Sequence, residues 1–223
     1  MQIHLEKEFD ELKQHLLLMG SHAETAVKQA VEALITRNDD LAHRVRENDA
    51  VLDRFEVEVD ELAIHLLAKA PLATDLRFVT VAMKISQNLE RVGDEATKIA
   101  KRARDLNAEA PLKTGLNLDG MARLTLEMLK GALDAFVNRD AASARAIILR
   151  DKEVNALNKQ ARRELERLMM ESPDNIFRSL SLMTAAKCLE RIADHATNIA
   201  EEVVYLCEAN DIRHTGKNSI PNP

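Results

Sequence analysis

The sequence is poor in the residues that build sheets, staples and tight turns. Tryptophan is absent, tyrosine occurs once and aromatics make up 3% of 223 residues, too little to fill the faces of β-strands. Six glycines and five prolines leave few places to turn, so the elements must be long and the connections few. The two cysteines, Cys188 and Cys207, fall on what reads as one helix, roughly 28 Å apart at about 1.5 Å rise per residue, too far to bridge. No apolar run approaches the ~20 residues of a membrane span, and the amphipathic start MQIHLEKEFDEL is unlike a secretory signal. Unpaired thiols without an export signal favour a reducing, cytoplasmic location. A formal net charge of −6 gives no global basic field for nucleic acid. There is no Gly-rich phosphate loop, HExxH, zinc-spaced cysteine cluster or nucleophile elbow. No histidine has glutamate three residues before it, which removes the di-iron bundle signature.

What is present is a repeated phrase. Residues 89–100 read LERVGDEATKIA and residues 189–200 read LERIADHATNIA, an internal duplication of one structural unit. Glu90, Arg91 and Asp94 recur as Glu190, Arg191 and Asp194. Any apolar residue can repeat a core, but a repeated acidic pair indicates a repeated chemical task.

Apolar residues at alternating spacings of three and four predict six helices: 6–36, 40–69 (ended by Pro71), one capped at Thr74 or Asp75 and running past Ala103, 118–138, 140–171, and a last one beginning at Ser172-Pro173-Asp174. The fold class is all-α, two tandem three-helix bundles related by internal duplication. The expected organisation is a first bundle over 1–106, a connecting segment 107–119 that holds Pro111 and Gly115, a second bundle over 120–213 and a disordered tail 214–223.

The second helix carries an acidic stripe one position beyond its apolar seam. Asp49, Asp53, Glu56 and Asp60 follow spacings of four, three and four and project from one face. On the third helix Glu90 and Asp94 form an i, i+4 pair. If the two helices are antiparallel neighbours, six carboxylates meet at a groove. Such an oxygen-rich site suits Mg²⁺, Mn²⁺, Ca²⁺ or iron. A solvated flank paired with Lys and Arg is the ordinary reading of charges beside a seam; the recurrence of Glu-x-x-x-Asp on the last helix puts the metal reading level with it. In the second half Asp151, Asn155, Asn158 and Arg162 fall opposite the stripe. Asp151, Glu190 and Asp194 are then the remaining acidic ligands, Arg162 supplies an internal cation, and a weaker metal site is expected there.

Two copies of a three-helix unit with L-E-R-[VI]-x-D on the third helix resemble the PhoU family of bacterial phosphate-signalling proteins. The segments LLLMGSHAE, AKAPLATDLRFV, LMMESPDNI and DIRHTG resemble family segments in the same order. The resemblance implies a cytoplasmic, non-enzymatic negative regulator of the phosphate-starvation response. It also implies a homodimer that acts beside a phosphate ABC transporter ATPase and a sensor histidine kinase, without inserting into the membrane. Some members bind multinuclear metal clusters through E/D-x-x-x-D motifs, here Glu56–Asp60, Glu90–Asp94 and Glu190–Asp194, with divalent or iron-type ions the implied cofactor. The expected fourth motif reads Asn158–Arg162, and Ala193 stands where the first copy has Gly93. Readings from other classes are a carboxylate-bridged metalloenzyme, for which no general base is evident, and a metal-free helical adaptor using the acidic stripe as a docking face.

Overall fold

A computed structural model describes residues 2–69 and 72–213. They form seven α-helices: α1 Gln2–Thr36, α2 Asp39–Glu47, α3 Asp49–Leu67, α4 Ala73–Asn107, α5 Leu118–Asn138, α6 Ala141–Glu171 and α7 Ile176–Glu208, the last introduced by a 3₁₀ turn over Pro173–Asn175. The expected second helix is broken. Asn48 leaves the helical ladder at φ −82°, ψ −4°, closing α2 and opening α3, so the apolar seam continues through Leu41, Val45 and Leu52 while the backbone does not. The start of α4 also differs from expectation. Leu72 is the cap position, and Asp75, three residues in, accepts a 3.1 Å hydrogen bond from the Leu72 N–H. Pro71 and the tail from His214 onward lie outside the described residues.

The helices end by repeated devices. Arg37 after α1 and Arg139 after α5 both take left-handed backbone, with φ 56° and 50°. The next residues, Asn38 and Asp140, cap α2 and α6 through their side chains. The Arg37 guanidinium donates to the carbonyls of Leu106, Asn107 and Glu109, satisfying the orphan acceptors at the end of α4.

α1, α3 and α4 make the first bundle, flanked by α2, and α5, α6 and α7 make the second. One continuous core joins them. Phe78 on α4 packs edge-on to Phe9 at 5.6 Å and stacks on Phe136 of α5 at 5.7 Å, so scarce aromatic surface is spent on the join. The main contact between the halves is α4 against α7, the two copies of the repeated helix. They run antiparallel, and contacts recur in mated pairs under the hundred-residue offset. Asn88 meets His195, and Glu95 meets Cys188. Arg191 reaches Glu95, and the charge of Arg91 acts on His195. This is the pattern of a pseudo-two-fold axis passing near Gly93 and Ala193. Among the described residues no helix is long and apolar enough to cross a membrane.

Candidate functional site: the acidic groove

The spacing on α3 and α4 places the six first-half carboxylates along one antiparallel groove. Their mutual influence runs its whole length. Burial pushes the Asp49 carboxyl up, and the charges of Asp53 and Asp94 push it further against the Thr97 hydroxyl and Lys98. Burial also raises Glu56, with Asp60 and Asp53 adding to it and Arg91 opposing. Glu90 is raised by burial, then by Asp94, Glu56 and Asp53, again against Arg91. Asp60 keeps one carboxylate oxygen, Oδ1, buried with no hydrogen-bond partner. Three of the six therefore hold protons more tightly than a free carboxyl, first because they are partly buried and then because they repel one another.

Arg91 supplies part of that charge. Its Nε lies 3.2 Å from Glu90 and its Nη1 3.3 Å from Asp94. Among the described residues no three Asp, Glu, His or Cys side chains stand close enough to share an ion. The donor set fits a hard cation in chemistry: carboxylates only, mutually repelling and partly desolvated. A bound ion would take over the work Arg91 does, so Glu90 and Asp94 would have to release it.

The groove is narrow because Gly93 lies on its floor. A Cβ built there would fall 2.3 Å from Leu52 Cδ1 and 3.5 Å from Asp49 Oδ1. The second copy meets the same constraint differently. By the repeat offsets Val154 stands for Leu52 and Ala193 for Gly93, and both are fully buried. At the matching positions the second copy carries a methyl group on α7 and a side chain one methylene shorter on α6, helices that pack on one another.

The second-half residues are arranged otherwise. Asp151 is fully buried and accepts a 2.9 Å hydrogen bond from Asn155. Arg162 does not serve as the local cation that the sequence led one to expect, because its Nε pairs with Glu166 one turn on, at 2.7 Å. Glu190 is held by Lys187, while Asp194 is exposed. Asp151, fully buried beside a side-chain amide donor, thus differs from its half-buried counterpart Asp49.

Sequence reasoning missed Glu95. It is 5% exposed, and its Oε1 accepts from Lys98 at 2.9 Å and Arg191 at 3.3 Å. Burial pushes its carboxyl up, but the hydrogen bonds from Lys98 and Cys188 and the nearby cations outweigh this and hold it low. His195, its mate in the repeat, is lowered by burial and by Arg91, Lys98 and Arg191 against the pull of Glu95. The signal was available: the two phrases differ at 95 and 195, where a carboxylate in one copy is an imidazole in the other.

A duplicated three-helix unit, joined helix to helix about a pseudo-two-fold axis and carrying a carboxylate groove on its first copy, defines the class. The PhoU domain matches residues 16–103 and 118–203, and the chain belongs to the PhoU family. It is 41% identical over 211 residues to the phosphate-specific transport system accessory protein PhoU homolog of Pseudomonas aeruginosa, covering 94% of this chain and 87% of the relative. The Escherichia coli accessory protein PhoU is 33% identical over 214 residues, covering 96% and 89%. The crystal structure of PhoU from Pseudomonas aeruginosa superposes with a TM-score of 0.89 at 40% identity, covering 92% of this chain and 99% of that one. The phosphate transport system regulatory protein PhoU from Streptococcus pneumoniae gives 0.86 at 28% identity, covering 93% and 98%.

Proposed function

We propose that the protein is a non-enzymatic regulator of a phosphate transport system. It restrains the phosphate-starvation response by linking the ATPase of a phosphate ABC transporter to a sensor histidine kinase. The observation that carries this reading is the end-to-end relationship to proteins named as phosphate transport accessory or regulatory proteins. The groove supports a metal-dependent form of it. Asp49, Asp53, Glu56, Asp60, Glu90 and Asp94 would hold one or more divalent or iron-type cations. The ion would supply fixed positive charge that closes α3 onto α4. Asp151, Glu190 and Asp194 would hold a second ion less tightly, since fewer carboxylates face it. The protein would work as a homodimer on the cytoplasmic side of the membrane.

A metal-free adaptor is the second reading, favoured by Arg91 already bridging Glu90 and Asp94. Deleting the gene and following a phosphate-starvation reporter tests the regulatory role. Constitutive reporter activity, restored to repression by the intact gene, is expected; unchanged regulation would refute it. Metal content of the purified chain, with and without chelator, separates the two forms.

A further inference from the structure

The α4–α7 interface has two mated ends, and their charges have diverged. At one end Glu202 of α7 is 4% exposed and accepts from Lys84 of α4 at 3.1 Å and from Arg213 at 3.0 Å. That end is closed by its own ion pairs. At the other end the mates of Asn198, Glu201 and Glu202 are Lys98, Lys101 and Arg102, and the mate of Lys84 is Thr184. A neutral residue and two carboxylates have become three cations, and the lysine opposite has become a hydroxyl.

The result is a cavity of about 360 Å³ between α4 and α7, lined by Lys98, Lys101 and Arg102 from one helix and Lys187 and Arg191 from the other. No carboxylate lines it. Cys188, 3% exposed, completes the lining with Met183 and Thr184. Three carboxylates behind the wall already engage members of the set: Glu95 with Lys98 and Arg191, Asp105 with Arg102, and Glu190 with Lys187. Asp94 also acts on Lys98, yet every charged side chain that lines the cavity itself is a cation. The bonds from Glu95 also fix the Lys98 and Arg191 heads in place, which lowers the cost of ordering them around a ligand.

We infer that this cavity binds a dianionic oxyanion of the phosphate class, either free or as the terminal group of a larger molecule. Arg102 and Arg191 offer planar forks of N–H donors and the lysines compact charge, the mixture that suits a tetrahedral oxyanion. The volume exceeds that of one orthophosphate, leaving room for water or for the rest of a larger ligand. Of its cations, Lys98 also acts on Asp49 of the acidic groove, so the test is run in chelator, which removes any metal there. The cations are one-third to one-half exposed, so binding should weaken steeply as salt is raised.

The test is calorimetric titration of the full chain, in chelator and at low salt, with orthophosphate and separately with ATP. Saturable binding of at least one is expected, weakened tenfold or more by Lys101→Gln with Arg102→Gln and independently by Lys187→Gln. Lys28→Gln, on another face, should leave it unchanged. Orthophosphate binding identifies the free ion, and binding of ATP alone identifies a larger molecule's terminal group. Circular dichroism of each variant should match the parent, since only half-exposed side chains are altered. Absence of saturable binding to either ligand would overturn the assignment, as would affinity indifferent to both sets of substitutions.

Discussion

Replacing Gly93 by alanine tests whether the two copies solved one packing problem in two ways. The added methyl group would lie 2.3 Å from Leu52 Cδ1, more than 1 Å inside ordinary contact, and Leu52 is itself buried at 2% exposure. Overpacking of this kind costs about 1–3 kcal/mol. Alanine returns about 1 kcal/mol through its better helix propensity. The expected net loss is therefore about 0–2 kcal/mol, or up to roughly 8 °C in Tm for a chain of this size. Leu52→Val alone removes one buried methylene and should cost about 1 kcal/mol. The two together recreate the Val154–Ala193 arrangement, and the clash disappears. The double variant should be more stable than the sum of the single changes by about 1–2 kcal/mol, well above the roughly 0.5 kcal/mol scatter of independent sites. Urea melts of the four proteins at constant slope give the cycle directly. Additivity within that scatter would refute the reasoning, because the contact would then not be what separates glycine from alanine.

Further outcomes follow from the acidic groove and the thiols. Asp53→Asn with Glu90→Gln should remove most bound metal, read by mass spectrometry, yet leave the metal-free protein as stable or more stable in thermal melts, since like-charge repulsion is relieved; Glu190→Gln with Asp194→Asn should lose less metal, and equal loss would contradict the asymmetry between halves. The folded-state carboxyls of Asp49, Glu56 and Glu90 lie above their ordinary values. Their contribution is therefore fully present below the unfolded pKa and is lost as pH rises through the raised folded values. Metal-free protein should gain stability as pH is lowered from neutrality into that window, and Glu56→Gln with Glu90→Gln should flatten the gain. A thiol reagent at neutral pH should label the partly exposed Cys207 first and Cys188 only on unfolding; rapid labelling of both would mean that the cavity lining opens.

Much of the fold was legible because apolar spacing survives in every helix, and the duplicated phrase set the register of the second half from the first. The acidic groove was legible for the same reason: Asp49 to Asp60 share a face of one helix, Glu90 and Asp94 a face of the next. The break at Asn48 was not, because both sides keep the apolar seam and only the backbone of one residue departs. The fate of Asp151 was hidden as well. Its burial depends on how α6 rotates against α5 and α7, and the nearby Asn155 amide gives no sign in the sequence that it points inward. Arg162 looked like a partner for the groove because it aligns with Asp60, but Glu166 lies one turn away and ends the matter locally. The basic cavity required the antiparallel register of α4 and α7, which brings Lys98 beside Arg191 across about a hundred residues of chain.

The mated contacts across α4 and α7 also carry a history. An interface in which each contact has a counterpart under a two-fold rotation is what two identical three-helix chains would make as an isologous dimer. In such an ancestor any substitution appears twice, so Lys98 facing Cys188 at one end would force the same pair at the other, and no end could become acidic while its mate became basic. Two copies carried on one chain are free of that restriction. Glu95 against His195, Lys98 against Asn198 and Arg102 against Glu202 are differences that two identical chains cannot hold, and they give the α4–α7 interface two chemically distinct ends.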